Sequence, residues 1–130
     1  MKNLLIFLII SITSCDLSPS RINFDSTLLR VAQEINSMCP MTVDKDTRLD
    51  NAAVLSNKTF QYNYTLINTK IEDTDVQNMK NSFIPILNNK VKTNEGLELM
   101  RKNNVTLIYS YSDLNGKFLF LHKITPDIYK

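Results

Sequence analysis

Phe60-Gln61-Tyr62-Asn63-Tyr64-Thr65-Leu66 alternates an apolar or aromatic side chain with a polar one at every step. A period of two places Phe60, Tyr62, Tyr64 and Leu66 on one face of an extended strand, and Gln61, Asn63 and Thr65 on the other. This stretch predicts a half-buried strand over 59–68. Working back from it, Ser56-Asn57-Lys58 reads as a turn, and Thr47–Leu55 as a weaker strand, so 47–68 predicts a hairpin. Met41–Asp46 reads as a short strand or loop.

Working forward, 105–112 alternates again through Val105, Leu107, Tyr109 and Tyr111. Asn115-Gly116 follows, a pair that accepts positive φ and marks a hairpin turn. Residues 117–124 return with Phe118, Phe120, His122 and Ile124 on one face. Both faces are apolar at the centre, which predicts helices on one side and some cover on the other. Helical spacing appears in 26–38 through Leu28, Val31, Ile35 and Met38, capped by Asp25 or Ser26 and stopped before Pro40. It recurs over 74–91 through Val76, Met79, Phe83, Ile86 and Leu87, where Pro85 is expected to kink or divide the helix. A second short helix is expected over 95–103, capped by Thr93 or Asn94. Two hairpins separated by helix predict an α+β fold: an antiparallel sheet of about four strands with two or three helices packed on one face.

Fifteen Lys and Arg face 13 Asp and Glu, scattered without blocks, so the basic excess of a nucleic-acid binder is missing. At 43% hydrophobic residues the chain has the makings of a core and reads as folded. With two isolated glycines there is no Gly-rich phosphate loop.

At the N-terminus, Lys2 precedes the apolar run Leu4–Ile12, and Thr13-Ser14 leads into Cys15. The run is shorter than the roughly 20 residues a spanning helix needs, and it suits a signal-peptide core. Ile12-Thr13-Ser14-Cys15 resembles the lipobox of bacterial lipoproteins. That resemblance implies cleavage after position 14 and acyl chains, palmitate among them, on Cys15. Several acyl chains hold a protein stably to a bilayer where one does not. The expected organisation is a signal peptide over 1–14, a lipidated cysteine and polar tether over 15–25, and one α+β domain over 26–130. Asp16 leaves the choice between inner and outer membrane open. Simple secretory cleavage near Cys15 and an uncleaved anchor are the alternatives. Without lipid, a Cys15–Cys39 disulfide in a secreted protein becomes conceivable.

Asp44-Lys45-Asp46-Thr47-Arg48-Leu49-Asp50 is the densest polar cluster. Leu49 stands where a calcium loop of the EF-hand type needs glycine, so a solvated turn with Arg48 paired to an acid is expected, and Asp44, Arg48 and Asp50 are candidate binding residues. Cys39 would need a base to act as a nucleophile, and His122, the only histidine, reads as a half-buried structural residue. One Cys and one His in no ligand spacing predict no metal, and no cofactor is expected. The three Asn-x-Thr matches at Asn57, Asn63 and Asn104 are chance matches in an Asn-rich chain. Tyr62, Tyr64, Tyr109 and Tyr111 are expected to stack across paired strands, or to offer an aromatic surface to a partner.

Cys39–Asp44, Thr47–Asp50 and Phe60–Leu66 together resemble a pattern in small uncharacterised bacterial proteins, which implies no activity. The leading expectation is a non-enzymatic protein-binding or assembly module of the cell envelope, held to the membrane by lipid on Cys15 and facing the periplasm or exterior. Pilotin-like, assembly-factor and toxin-immunity roles all fit this size. The alternative is a small envelope enzyme using Asp44, Asp46 or Asp50 as acid or base.

Overall fold

Five strands follow one another across a single sheet in chain order: β1 (Met41–Asp44), β2 (Thr47–Leu55), β3 (Thr59–Leu66), β4 (Thr106–Ser112) and β5 (Phe118–Ile124). The computed structural model describes residues 19–130, with side chains from residue 24. The leader, Cys15 and the start of the tether lie outside the described residues. The helices are α1 (Pro19–Met38), α2 (Val76–Thr93), α3 (Glu98–Lys102) and a last short turn, α4 (Pro126–Tyr129).

The α+β class holds, with two differences from the expected sheet. There are five strands among the described residues, since 41–44 pairs with β2. The sheet is mixed, because β3 and β4 run parallel while every other pair is antiparallel. Residues 67–105 lie between β3 and β4 and include α2 and α3. A helical connection of this length carries the chain back to the end of the sheet where β3 began, so β4 runs alongside it.

The β2–β3 hairpin closes through Asn57 and Lys58, both at positive φ (60° and 50°). In β2 the apolar residues Leu49 and Ala52 are three apart, which breaks the period of two. A bulge at Asp50 absorbs the extra residue and keeps both on the buried face. β1 pairs only with 47–49, and α1 covers the next part of that edge. Asn36 Nδ2 donates to the Ala52 carbonyl at 2.9 Å, and the Ala52 N–H donates back to Asn36 Oδ1 at 2.7 Å.

α1 starts at Pro19, inside the stretch read as tether. It buries Leu28 and Ala32, with Val31 and Ile35 half-buried against the core, but leaves Met38 exposed. α2 is one continuous helix through Pro85 rather than two. Its buried side carries Leu87 and Val91, with Val76, Met79 and Phe83 packed against the core, while Ile86 stands out of the stripe. Ahead of α3 the chain makes one 3-10 turn, Glu95–Leu97, capped by Asn94, whose side chain accepts from the Gly96 N–H at 2.8 Å; α3 itself has no side-chain cap.

One core forms between the helices and the face of the sheet carrying Leu49, Phe60, Tyr64, Leu66, Leu107, Tyr109, Tyr111, Phe120 and Ile124. By strand register the other face carries Arg48, Asn51, Gln61, Asn63, Thr65, Ile108 and Ser110. The helical cover expected on one side is present. The second cover is not seen among the described residues, and polar side chains bond to one another there instead: Gln61 Nε2 donates to Asn63 Oδ1 at 2.8 Å, and Asn63 Nδ2 to Asn51 Oδ1 at 2.7 Å.

Candidate functional site

Four tyrosines form the floor of the helix-covered face. Register sets Tyr62 beside Tyr109 and Tyr64 beside Tyr111, and the rings stack at centroid separations of 5.2 Å in both pairs. Phe83 of α2 meets Tyr111 edge-on at 5.2 Å. The expected stacking is therefore present, and it crosses the parallel pair of strands.

No buried polar side-chain atom of the described residues is left unsatisfied. Tyr109 is almost fully buried, at 1% exposure, and Tyr64 and Tyr111 are buried beside it. Burial pushes the Tyr62 phenol up to about 12. Burial is likewise the main cause that raises Tyr64, Tyr109 and Tyr111. All four stay protonated at neutral pH and can both donate and accept.

Above Tyr64 and Tyr111 lies a groove of about 260 Å³. One wall is α2, with Phe83, Ile86, Leu87 and Lys90; the other is Val43, Asp44 and Thr47 at the β1–β2 turn. A second hollow of about 540 Å³ continues it past Asp46, Leu66, Asn68 and Met79, sharing Asp44, Thr47 and Phe83. Met79, Phe83, Ile86 and Lys90 lie on one side of α2 and line a trough roughly 16 Å long at 1.5 Å per residue. Ile86 and Val43 project into it at 67% and 46% exposure. Exposed apolar side chains across a concave aromatic floor are what a docking surface needs.

Charge is divided along the trough. Asp44 stands where the two hollows join, and Lys45 and Asp46 follow it in the tight turn along the second hollow. Asp44 Oδ1 accepts from the Asp46 N–H at 2.8 Å, and that bond is the main cause holding the Asp44 carboxyl below its usual range. Asp46 accepts from the Asn68 side chain at 2.8 Å. At the other end Lys90 Nζ sits 5.8 Å from the centroid of the Tyr109 ring.

The residues singled out from the sequence thus part company. Asp44 and Tyr64 line the groove, and Tyr62 stacks on Tyr64 at 6.2 Å. Arg48 and Asp50 lie on the opposite, open face. There Arg48 Nε donates to Asp50 Oδ1 at 2.6 Å, Thr65 Oγ1 donates to Asp50 Oδ2 at 2.5 Å, and Arg48 Nη2 donates to Thr65 Oγ1 at 3.3 Å. The three carboxylates do not converge: Asp44 and Asp46 stabilise a turn and Asp50 closes a triangle with Arg48 and Thr65. Among the described residues, no group of three or more His, Cys, Asp or Glu is placed to hold a metal ion.

Cys39 is a free, half-buried thiol whose pKa is raised, by burial first and by the Asp50 charge second, the reverse of what a nucleophile requires. His122 Nε2 lies 2.8 Å from Asn88 Oδ1 on α2, and burial, then Lys80, lowers its pKa. A larger hollow of about 670 Å³ lies between Leu29 and the β2–β3 turn. Its cation is engaged, since Lys58 stands over the Phe24 ring and donates to the Asn103 carbonyl.

Lys90 and Ile86 were not legible as site residues, whereas Val43 and Thr47 fall in the Cys39–Asp44 and Thr47–Asp50 stretches that carry the sequence resemblance. Helical spacing puts Ile86 in the apolar stripe with Phe83 and Leu87, so its exposure at 67% gave no signal in the sequence.

A family model described as a domain of unknown function, DUF8479, matches residues 23–120. No curated protein matches the sequence. Two solved structures share the fold. A candidate secreted protein of Pseudomonas aeruginosa superposes with a TM-score of 0.71 at 13% identity, covering 87% of this chain and 98% of its own. A pilotin from the type 2 secretion system of Vibrio vulnificus superposes with a TM-score of 0.64 at 6% identity, covering 84% of this chain and 94% of its own.

Proposed function

We propose that this chain, which belongs to the DUF8479 family of domains of unknown function, is a non-enzymatic docking module of the bacterial cell envelope. Lipid on Cys15 holds it to a membrane, and the trough beside α2 receives an apolar segment of another envelope protein. The observation that carries this reading is the pairing of Ile86 and Val43, both exposed, across a floor of packed tyrosines. The shared fold with a type 2 secretion pilotin and a candidate secreted protein supports the envelope setting. No helix among the described residues is long and apolar enough to cross a membrane; the lipid assignment rests on Ile12-Thr13-Ser14-Cys15 and the apolar run before it. The enzymatic alternative loses its support where Asp44, Asp46 and Asp50 splay apart.

Site-specific photocrosslinking tests the docking surface in intact cells. A photoreactive phenylalanine analogue at Ile86 is expected to trap an envelope protein, and the same analogue at Asn51 on the open face is expected to trap none. Equal trapping from both positions, or none from Ile86, overturns the reading.

A further inference from the structure

We infer that the trough reads charge order: its occupant is a peptide segment with an apolar middle, an acidic residue at one end and a basic residue at the other. Three observations meet here. Ile86, Val43, Phe83 and the tyrosine floor make the centre apolar. Lys90 stands at one end over an aromatic ring and forms no ion pair among the described residues. Asp46 stands toward the other end, with Asp44 between it and the apolar floor, and one oxygen of each accepts from a neutral donor, the Asp46 N–H and the Asn68 amide, so the charges are hydrogen-bonded but not neutralised. Lys45 between them leaves that end net negative. Both ends border low-dielectric apolar surface, where opposite charges attract more strongly than in open water. A segment charged alike at both ends would meet one matching and one repelling terminus. Apolar burial would then supply affinity, and the two ends would supply selectivity.

Polarity presupposes docking in the trough, and the test separates the two. Three synthetic peptides with blocked termini share one leucine-rich middle. Their ends carry Glu and Lys, Glu and Glu, or Lys and Lys. Binding to the purified domain is followed by NMR, with Ile86 and Leu87 methyl shifts as the locator. The mixed-charge peptide is expected to bind roughly three- to fivefold tighter than either uniform peptide, the range of one partly exposed ion pair. The preference should fade in high salt. Lys90→Glu is expected to transfer the preference to the Lys and Lys peptide, and Lys90→Gln to erase the penalty on that peptide without creating a preference. Equal binding of all three peptides at low salt, with Ile86→Asp still abolishing it, overturns charge reading and leaves docking intact. Failure of every peptide to shift the Ile86 methyls, or indifference to Ile86→Asp, overturns docking and charge reading together.

Discussion

Asp113 shows what one carboxylate does in this fold. It is fully buried at the end of β4. Its Oδ2 accepts from the Ile71 N–H at 2.9 Å, and its Oδ1 accepts from the N–H groups of Asn115 and Lys117, each at 2.9 Å. These bonds tie the β4–β5 turn to the connection that follows β3, where Leu114 N–H also reaches the Thr69 carbonyl at 2.9 Å. The Ile71 bond is the main cause holding the Asp113 carboxyl below its usual range. A carboxylate held low contributes stability that is complete above the ordinary carboxylate pKa and is lost as pH falls through the folded value. Asp113→Asn keeps the shape but loses the charge and one acceptor. It is expected to lower the thermal midpoint at pH 7, with the gap from the parent narrowing steadily on acidification below about pH 4. A gap independent of pH would show that the ionised form is not what the three amides hold. The sequence signalled this turn through Asn115-Gly116, and Gly116 does adopt positive φ at 77°. Asp113, the residue that organises the turn, carried no pattern of its own, because its third partner comes from a segment forty-two positions away.

α2 is where local and tertiary forces compete. Its start is capped by Asp75, whose side chain accepts from the Asn78 N–H at 3.0 Å, and Lys90 and Lys92 lie in its last turn, where cations favour the helix dipole. Pro85 interrupts the ladder in between yet leaves the helix in one piece, because Phe83, Leu87 and Val91 pin both halves to the sheet. An interior proline costs about 3 kcal/mol, offset by about 1 kcal/mol from the stiffer unfolded chain. Pro85 is exposed, so Pro85→Ala is expected to stabilise the domain by about 2 kcal/mol in a denaturant titration. A loss of stability instead would mean that the ring sets the path of the helix over the groove.

Across the described part of the molecule, the acidic turn of the groove and the Phe24 segment of α1 lie toward opposite ends of β2. α1 begins beside the β2–β3 turn, where Phe24 meets Lys58. The acidic end of the trough sits at the β1–β2 turn, roughly 26 Å away along β2 at 3.3 Å per residue. Cys15→Ser is expected to move the protein from the membrane pellet to the soluble fraction while leaving the thermal midpoint of the domain unchanged. Retention in the pellet would remove the anchor from the account of this protein.

Strand positions, the β2–β3 and β4–β5 hairpins and the presence of α2 were legible in the chain because alternation and helical spacing are local: they state which neighbours share a face and need no information from elsewhere. The direction of β4 against β3 was not legible, because it depends on where residues 67–105 carry the chain. The site divides the same way. Tyr64 and Asp44 could be singled out by their spacing, but Arg48 and Asp50, four and six positions beyond Asp44, turned to the open face on a strand that bulges to keep Leu49 and Ala52 buried. Lys90, Ile86 and Val43 became a groove only when α2 was laid across the sheet. A linear sequence records which side chains can be buried together on one element; only packing between elements decides which of the remainder are left facing one another across a gap.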